Sequence, residues 1–193
     1  MRQMGWAAAA AVLLLMGCQK QAPRQEAAQP PSGPAPGTPD WKIQNAMSAA
    51  PPAIASAATI LDLPDSTGQM AQLRAGTNGW TCLPDDAHTP SNDPMCLDQT
   101  FLSWADAWMH HKTPQLKRAG FGYMYQGGEG SNTDPYATAP APDNQWGKAP
   151  AHVMMVVPNA AALEGIPTDP KDGGPWLMWK GTPYVHVMMP VNK

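Results

Sequence analysis

PWLMWKGTPYVHVMMPV, residues 175–191, decides the fold class. Two apolar and aromatic runs flank Lys180-Gly181-Thr182-Pro183, the pattern of a β-hairpin. Side chains alternate between faces along a strand, so His186 and Met188 share one face. Val185, Val187, Met189 and Val191 take the other. The word His-Val-Met-Met recurs in AHVMMVV (151–157), a second strand with His152 and Met154 opposite Val153, Met155 and Val157. The wholly apolar faces predict core, and the histidines then belong to a second, mixed face. A loop of Gly181-Thr182-Pro183 pairs residue 178 with 186 and sets Met178 across from His186. A two-residue loop flips that parity and puts Leu177 there instead. The first register gathers Trp176, Met178, His186 and Met188 on one patch, which His152 and Met154 join if the two strands are neighbours.

Outward from this hairpin the chain alternates elements without repeating a domain, since the contexts of the two His-Val-Met-Met words diverge at once. Thr38-Pro39 opens a helix with Trp41, Ile43, Met47 and Ala50 near one face, ended by Pro51-Pro52. ATILDL (58–63) and QMAQLRAG (69–76) read as two strands around a turn. DPMCLDQTFLSWADAWMHHKTP (93–114) reads as one long amphipathic helix. Asp93 caps it, Pro94 sits in its first turn, and Leu97, Phe101, Trp104, Ala105 and Trp108 form its apolar stripe. His110 and His111 point about 100° apart on such a helix and do not easily grip one ion. GFGYMYQ (120–126) is a strand, and residues 127–150 form a long polar loop, the favoured contact surface. Asn159–Leu163 is a short helix. The order predicts an α+β single domain over residues 40–193, a mainly antiparallel sheet packed on one long helix, with a C-terminal β-hairpin.

Three readings of the His/Met patch compete. It is a buried layer with hydrogen-bonded histidines and gap-filling methionines. Or it floors a cleft for a small ligand, walled by Trp176, Tyr184 and the long loop with Glu129, Asn132 and Asp134. Or His152, Met154, Met178, His186 and Met188 form a soft metal site for copper as Cu(I), whose donors are imidazole and thioether. Paired histidines in a sheet are more often structural than ligating, which favours the first.

Enzyme signatures are absent: no nucleophile elbow, zinc-protease motif, P-loop or dinucleotide fingerprint occurs. Glu129 and Asp134 supply carboxylates that a hydrolase of cell-envelope polymer would need, but sequence does not fix their separation. The sequence therefore predicts a binding or structural module, with copper binding and the hydrolase as alternatives and no catalytic residue assigned.

Residues 1–17 read as a signal peptide: Arg2 precedes a ten-residue apolar run, Trp6–Leu15, too short to span a bilayer. Leu15-Met16-Gly17-Cys18 resembles the lipoprotein cleavage box of bacteria, which implies lipidation at Cys18. With Gln19 following, the resemblance implies the periplasmic face of the outer membrane. Residues 18–39, with six prolines and two glycines beyond Cys18, read as a disordered tether reaching roughly 60 Å when extended. Cys82 and Cys96 are left to pair, and an oxidising cell envelope favours a disulfide bond between them. Loss of Arg2 takes the formal charge from −3 to −4, and no basic cluster exists to bind nucleic acid. The expected partners are the membrane, through the lipid, and a small ligand or an envelope protein. The stretch DPKDGGPWLMWKGTPYVHVMMPV (169–191) is also similar to uncharacterised secreted proteins of bacteria, a resemblance that implies no activity.

The lipid anchor is testable. Cys18→Ser should lose lipid labelling and leave the membrane fraction. Wild-type processing and localisation of that variant would refute the anchor.

Overall fold

The structure, a computed structural model, describes residues 33–191; the expected signal segment, Cys18 and the tether to residue 32 lie outside them. The first helix, α1 (Pro39–Met47), starts where expected: the Thr38 hydroxyl accepts from the Trp41 N–H, and Pro39 lacks an N–H that would be orphaned anyway. A short α2 (Pro52–Ala55) follows, and Arg74 Nη2 donates to the carbonyl of its last residue, Ala55, at 2.6 Å and to that of Ala58 beyond it at 2.8 Å. Next come β1 (Thr59–Leu61), β2 (Gln72–Arg74), β3 (Thr81–Leu83) and β4 (Met95–Leu97).

The expected long helix is a correction. Met95–Leu97 is strand, and α3 covers only Gln99–Met109. Two aspartates compete to cap this stretch, and Asp98 wins over Asp93 for a tertiary reason. Its Oδ1 accepts from the Phe101 N–H at 2.7 Å while its Oδ2 accepts from the Phe121 N–H at 2.9 Å, so one carboxylate starts the helix and fastens it to the next strand. Met95–Leu97 meanwhile satisfies its backbone between β3 and β5 (Gly120–Met124), an arrangement no local propensity reports. Residues 127–150 are a second correction, because they contain the hairpin of β6 (Gly128–Ser131) and β7 (Trp146–Ala149). Then follow β8 (His152–Val156), a 3-10 turn at Ala160–Leu163, β9 (Trp176–Met178) and β10 (His186–Pro190).

Eight strands form one sheet in the order β2-β1-β3-β4-β5-β8-β10-β9, antiparallel except for the β1–β3 pair. The architecture is thus mixed α and β, with a large, mostly antiparallel sheet and few, short helices. The C-terminal hairpin takes the first register, His186 opposite Met178, although its connection spans 179–185 and is tied by Thr182 to the Trp179 carbonyl. Leu97, Gly122, Met154, Met188 and Trp176 lie in one cross-strand row on one face, and Cys96, Tyr123, Val153 and Met189 in a row on the other.

The burial of the two faces inverts the sequence expectation. The His/Met face lies under α3 and forms the largest core with Leu97, Phe101, Trp104 and Val156. The apolar face divides in two. α1 and α2 cover Ile60, Cys82 and Cys96 at one end, while Leu163 covers Leu177 and Val187 at the other, leaving Val153, Met155 and Met189 half-buried. The two faces alternate as the sequence pattern predicts; which of them is deeper depends on the position of α3, which no local pattern carries. Gly120 marks that position, because a Cβ there would lie 2.7 Å from the Phe101 nitrogen and 2.8 Å from Thr100 Cβ.

Cys82 and Cys96 form the disulfide, joining directly paired residues of β3 and β4 beneath α1. It closes a loop of 14 residues, so the reduced protein, or Cys82→Ala/Cys96→Ala, should be less stable by about 3 kcal/mol in urea titrations.

Candidate functional site

The His/Met face floors a cavity of about 530 Å³, roofed by α3, the β6–β7 hairpin and the loop 84–94. Five thioethers border it, from Met95, Met124, Met154, Met178 and Met188, together with both strand histidines. Trp104 and Trp108 enter from α3, Trp146 from β7, and Trp176 and Trp179 from the C-terminal hairpin. The sequence-predicted patch is therefore gathered, with His186 and Met178 on one rung, Met154, Met188 and Trp176 on the next, and His152 between Met124 and Pro190 on a third.

Four indole N–H groups bind the same strip of backbone and side chain. Trp146 Nε1 donates to Glu129 Oε1 at 3.0 Å, Trp179 to the Ser131 carbonyl at 2.9 Å, Trp176 to Asn132 Oδ1 at 3.1 Å and Trp108 to the Pro135 carbonyl at 3.1 Å. Residues 129–135 are thus strapped across the cavity by tryptophans whose ring bodies remain available to line it. Asn132 is the knot. Its amide also donates to Gln145 Oε1 and the Thr168 carbonyl, and its own carbonyl accepts from the Trp179 N–H at 2.8 Å.

Among the described residues three that are not glycine take left-handed backbone conformations, and all adjoin this region: His111 (φ 56°), Gln145 (φ 46°) and Trp179 (φ 59°). Such conformations persist only where surrounding bonds over-determine them. Trp179 is held at its N–H, its indole N–H and its carbonyl. His111 stacks on Tyr136, with ring centroids 4.2 Å apart, and Tyr136 donates through its hydroxyl to the Trp108 carbonyl.

Both cavity histidines are fixed alike. His152 Nδ1 lies 2.6 Å from the Pro150 carbonyl and His186 Nδ1 3.0 Å from the Tyr184 carbonyl. A carbonyl only accepts, so Nδ1 carries the proton, and in the neutral ring Nε2 is an acceptor. Burial resists protonation of both rings, more than offsetting the carbonyl contacts. The His186 pKa falls to about 4, helped by the neighbouring charge His152 would carry; that of His152 is also lowered. His186 stands edge-on to Trp104 and Trp179, at centroid distances of 5.1 and 4.9 Å. His152 Nε2 is buried and has no hydrogen-bond partner, a condition it shares among the described residues with Ser91 Oγ alone.

No family model matches the chain, and no curated protein or solved structure is significantly similar to it.

The remaining sequence candidates separate by role. Asn132, Trp176 and Tyr184 are buried, and the first two spend their polar atoms on each other and the strap. Glu129 is engaged by Trp146 and, at 3.7 Å, by Lys148. Asp134 is exposed and accepts from the Tyr136 N–H within its own loop. Met154 is packed with its methyl 3.0 Å from where a Gly122 side chain would begin, near Leu97 and Phe101. Among the described residues no group of three or more His, Cys, Asp or Glu stands ready for a metal. The sequence pattern assigns Trp104 and Trp108 to core and Asp93 to a cap, and gives no role to Trp179, Met95 or Met124. Asp93 borders the cavity with its pKa raised to about 6, chiefly by burial and further by Asp85. The overlooked signal was the density of Met and Trp on elements that converge.

The depressed histidine pKa gives a stability prediction. Above pH 6.5 the ring is neutral folded or unfolded. Below it the unfolded chain takes up a proton that the folded chain refuses until about pH 4, so stability falls with acidification. The gap between 6.5 and about 4 corresponds to about 3 kcal/mol. Asp93 acts oppositely between 3.8 and about 6, since it holds its proton better when folded. Urea titrations of wild type and His186→Phe at pH 7 and 4.5 share the Asp93 contribution, and the wild type should lose more stability than the variant.

Proposed function

We propose that the protein is a lipid-tethered binding module of the bacterial cell envelope that holds a small, largely apolar ligand in the cavity over the His/Met face. The observation that carries this reading is the strapped cavity itself. About 530 Å³ is the size of small-molecule sites, and its walls are aromatic and thioether with few polar groups. A protein that needed only a core would gain by closing that space, because unfilled volume costs stability. Instead the tryptophan N–H groups, the Asn132 knot and a left-handed Trp179 hold the strap where it is.

Copper is the second reading. Five thioethers and two histidines with carbonyl-bound Nδ1 atoms match a soft donor set, and metal-bound histidines have their second nitrogen fixed in this way. It ranks lower because the donors spread over three rungs and Met154 packs against Leu97 and Phe101. The hydrolase reading finds Glu129 already committed to Trp146 and Lys148.

Gly130 tests the main reading. It borders the cavity, and a Cβ there meets nothing within 4 Å. Gly130→Phe should fold normally and fill the space. The neutral fluorophore N-phenyl-1-naphthylamine should bind the wild-type mature protein with a stoichiometry of one, and Gly130→Phe should weaken it by roughly tenfold or more. Equal binding by both proteins would remove the cavity from the account.

A further inference from the structure

Most of the indole and imidazole N–H groups of the cavity are already paired. The indole N–H groups at Trp108, Trp146, Trp176 and Trp179 are all consumed by the strap, and the Nδ1–H of each histidine is consumed by a backbone carbonyl. What remains are the Trp104 indole N–H and the Nε2 lone pairs of the two histidines, and of these the Nε2 of His152, on a side chain 1% exposed, is the one fully buried without a partner. A buried acceptor left unpaired destabilises a fold, and native structures seldom retain one without use. Of its cross-strand neighbours on this face, Met124 and Pro190, Met124 also borders the cavity, and a thioether chain swings aside at little cost.

We infer that His152 Nε2 is the anchor of the site and that the ligand is a neutral, planar ring compound presenting one O–H or N–H to it. This rests on the cavity being the binding site. Donor character follows because Nε2 can only accept. Neutrality follows from the floor, where thioethers, indoles and imidazoles offer no counter-charge to a buried ion. The carboxylates of Asp86, Asp93, Glu129 and Asp134 come from loops and β6; they outnumber the one bordering ammonium, that of the exposed Lys148 held 3.7 Å from Glu129, and disfavour an anion further. Planarity follows from the ring walls, where Trp104, Trp108 and Trp179 lie within 10–32° of parallel to one another.

The test uses three naphthalene probes on the mature protein, followed by tryptophan fluorescence at pH 7.5. 2-Naphthol presents a donor, 2-methoxynaphthalene keeps the shape without it, and 2-naphthoate adds an anion. Wild type should bind 2-naphthol roughly tenfold more tightly than the ether, and the carboxylate more weakly than either. His152→Phe should retain affinity for the ether and lose the preference for the phenol. His152→Asn places an amide N–H where Nδ1–H stood, keeps the Pro150 contact and removes the distal acceptor, so it should behave the same if the bulkier ring disturbs the fold. A wild type that binds phenol and ether equally, or a preference that survives in both variants, overturns the inference while leaving the cavity as a site. Failure of wild type to bind any probe, with Gly130→Phe indistinguishable, overturns the site as well. One equivalent of Cu(I) bound through His152, blocking 2-naphthol, would also overturn it by making Nε2 a metal ligand.

Discussion

The pairing of β8 between β5 and β10 is the constraint on which the rest depends. Met154 stands between Gly122 and Met188, and this single register puts both histidines and the methionines paired with them on the face that α3 covers. Strand geometry makes the choice binary: a slip of one residue would exchange that set for Val153, Met155 and Val187. The glycines of β5 then determine how near α3 comes. Gly120 lets its first turn touch the sheet, and Asp98 makes the contact specific by accepting from Phe101 and Phe121 at once. The disulfide stiffens the same neighbourhood from the opposite face, since Cys96 lies next to Leu97, two residues before the cap Asp98.

Much of this was legible in the sequence because period two is a strong signal. The strands at 120–126, 151–157 and 175–191, the cap at Thr38 and a short helical turn from Asn159 follow from local pattern and turn chemistry, and the Met178–His186 register is one of the two that the hairpin pattern allows. The misreadings share one cause. Whether Asp93 or Asp98 begins a helix depends on strands that arrive from residues 81–83 and 120–124, and whether an apolar face is the deeper one depends on which helix lands on it. The hairpin at 128–149 was hidden for a related reason. Gly128, Glu129, Gly130 and Lys148 have little strand propensity, and they pair because Trp146 within the hairpin and Trp179 from the C-terminal hairpin pin the strip that begins there.

The candidate site was half legible. Its floor is a sequence word, quoted twice by the chain. Its roof comes from a helix read as ordinary core and from a segment read as loop, and neither can be assigned to a cavity before the tertiary fold is known. Trp104 is buried at 4% exposure, as a core residue should be, yet it borders the open space as well. Periodicity reports that a residue turns inward and is silent on whether the interior there is filled.

The tryptophans resolve an apparent conflict between that open space and a well-determined fold. Indole is the largest side chain with a single donor, so an indole whose N–H is tied at its far edge acts as a spacer of fixed length. Four such spacers end on residues 129–135 and start from three different elements, α3, β7 and the C-terminal hairpin. Collapse of the strap onto the sheet would require those rings to tilt and several of their hydrogen bonds to break together, each leaving a buried donor or acceptor without a partner. Thioethers beneath them adapt in shape without offering competing donors. The same arrangement therefore keeps the cavity open and occupies four of its indole donors, while the buried Nε2 of His152 stays an acceptor that nothing in the fold uses.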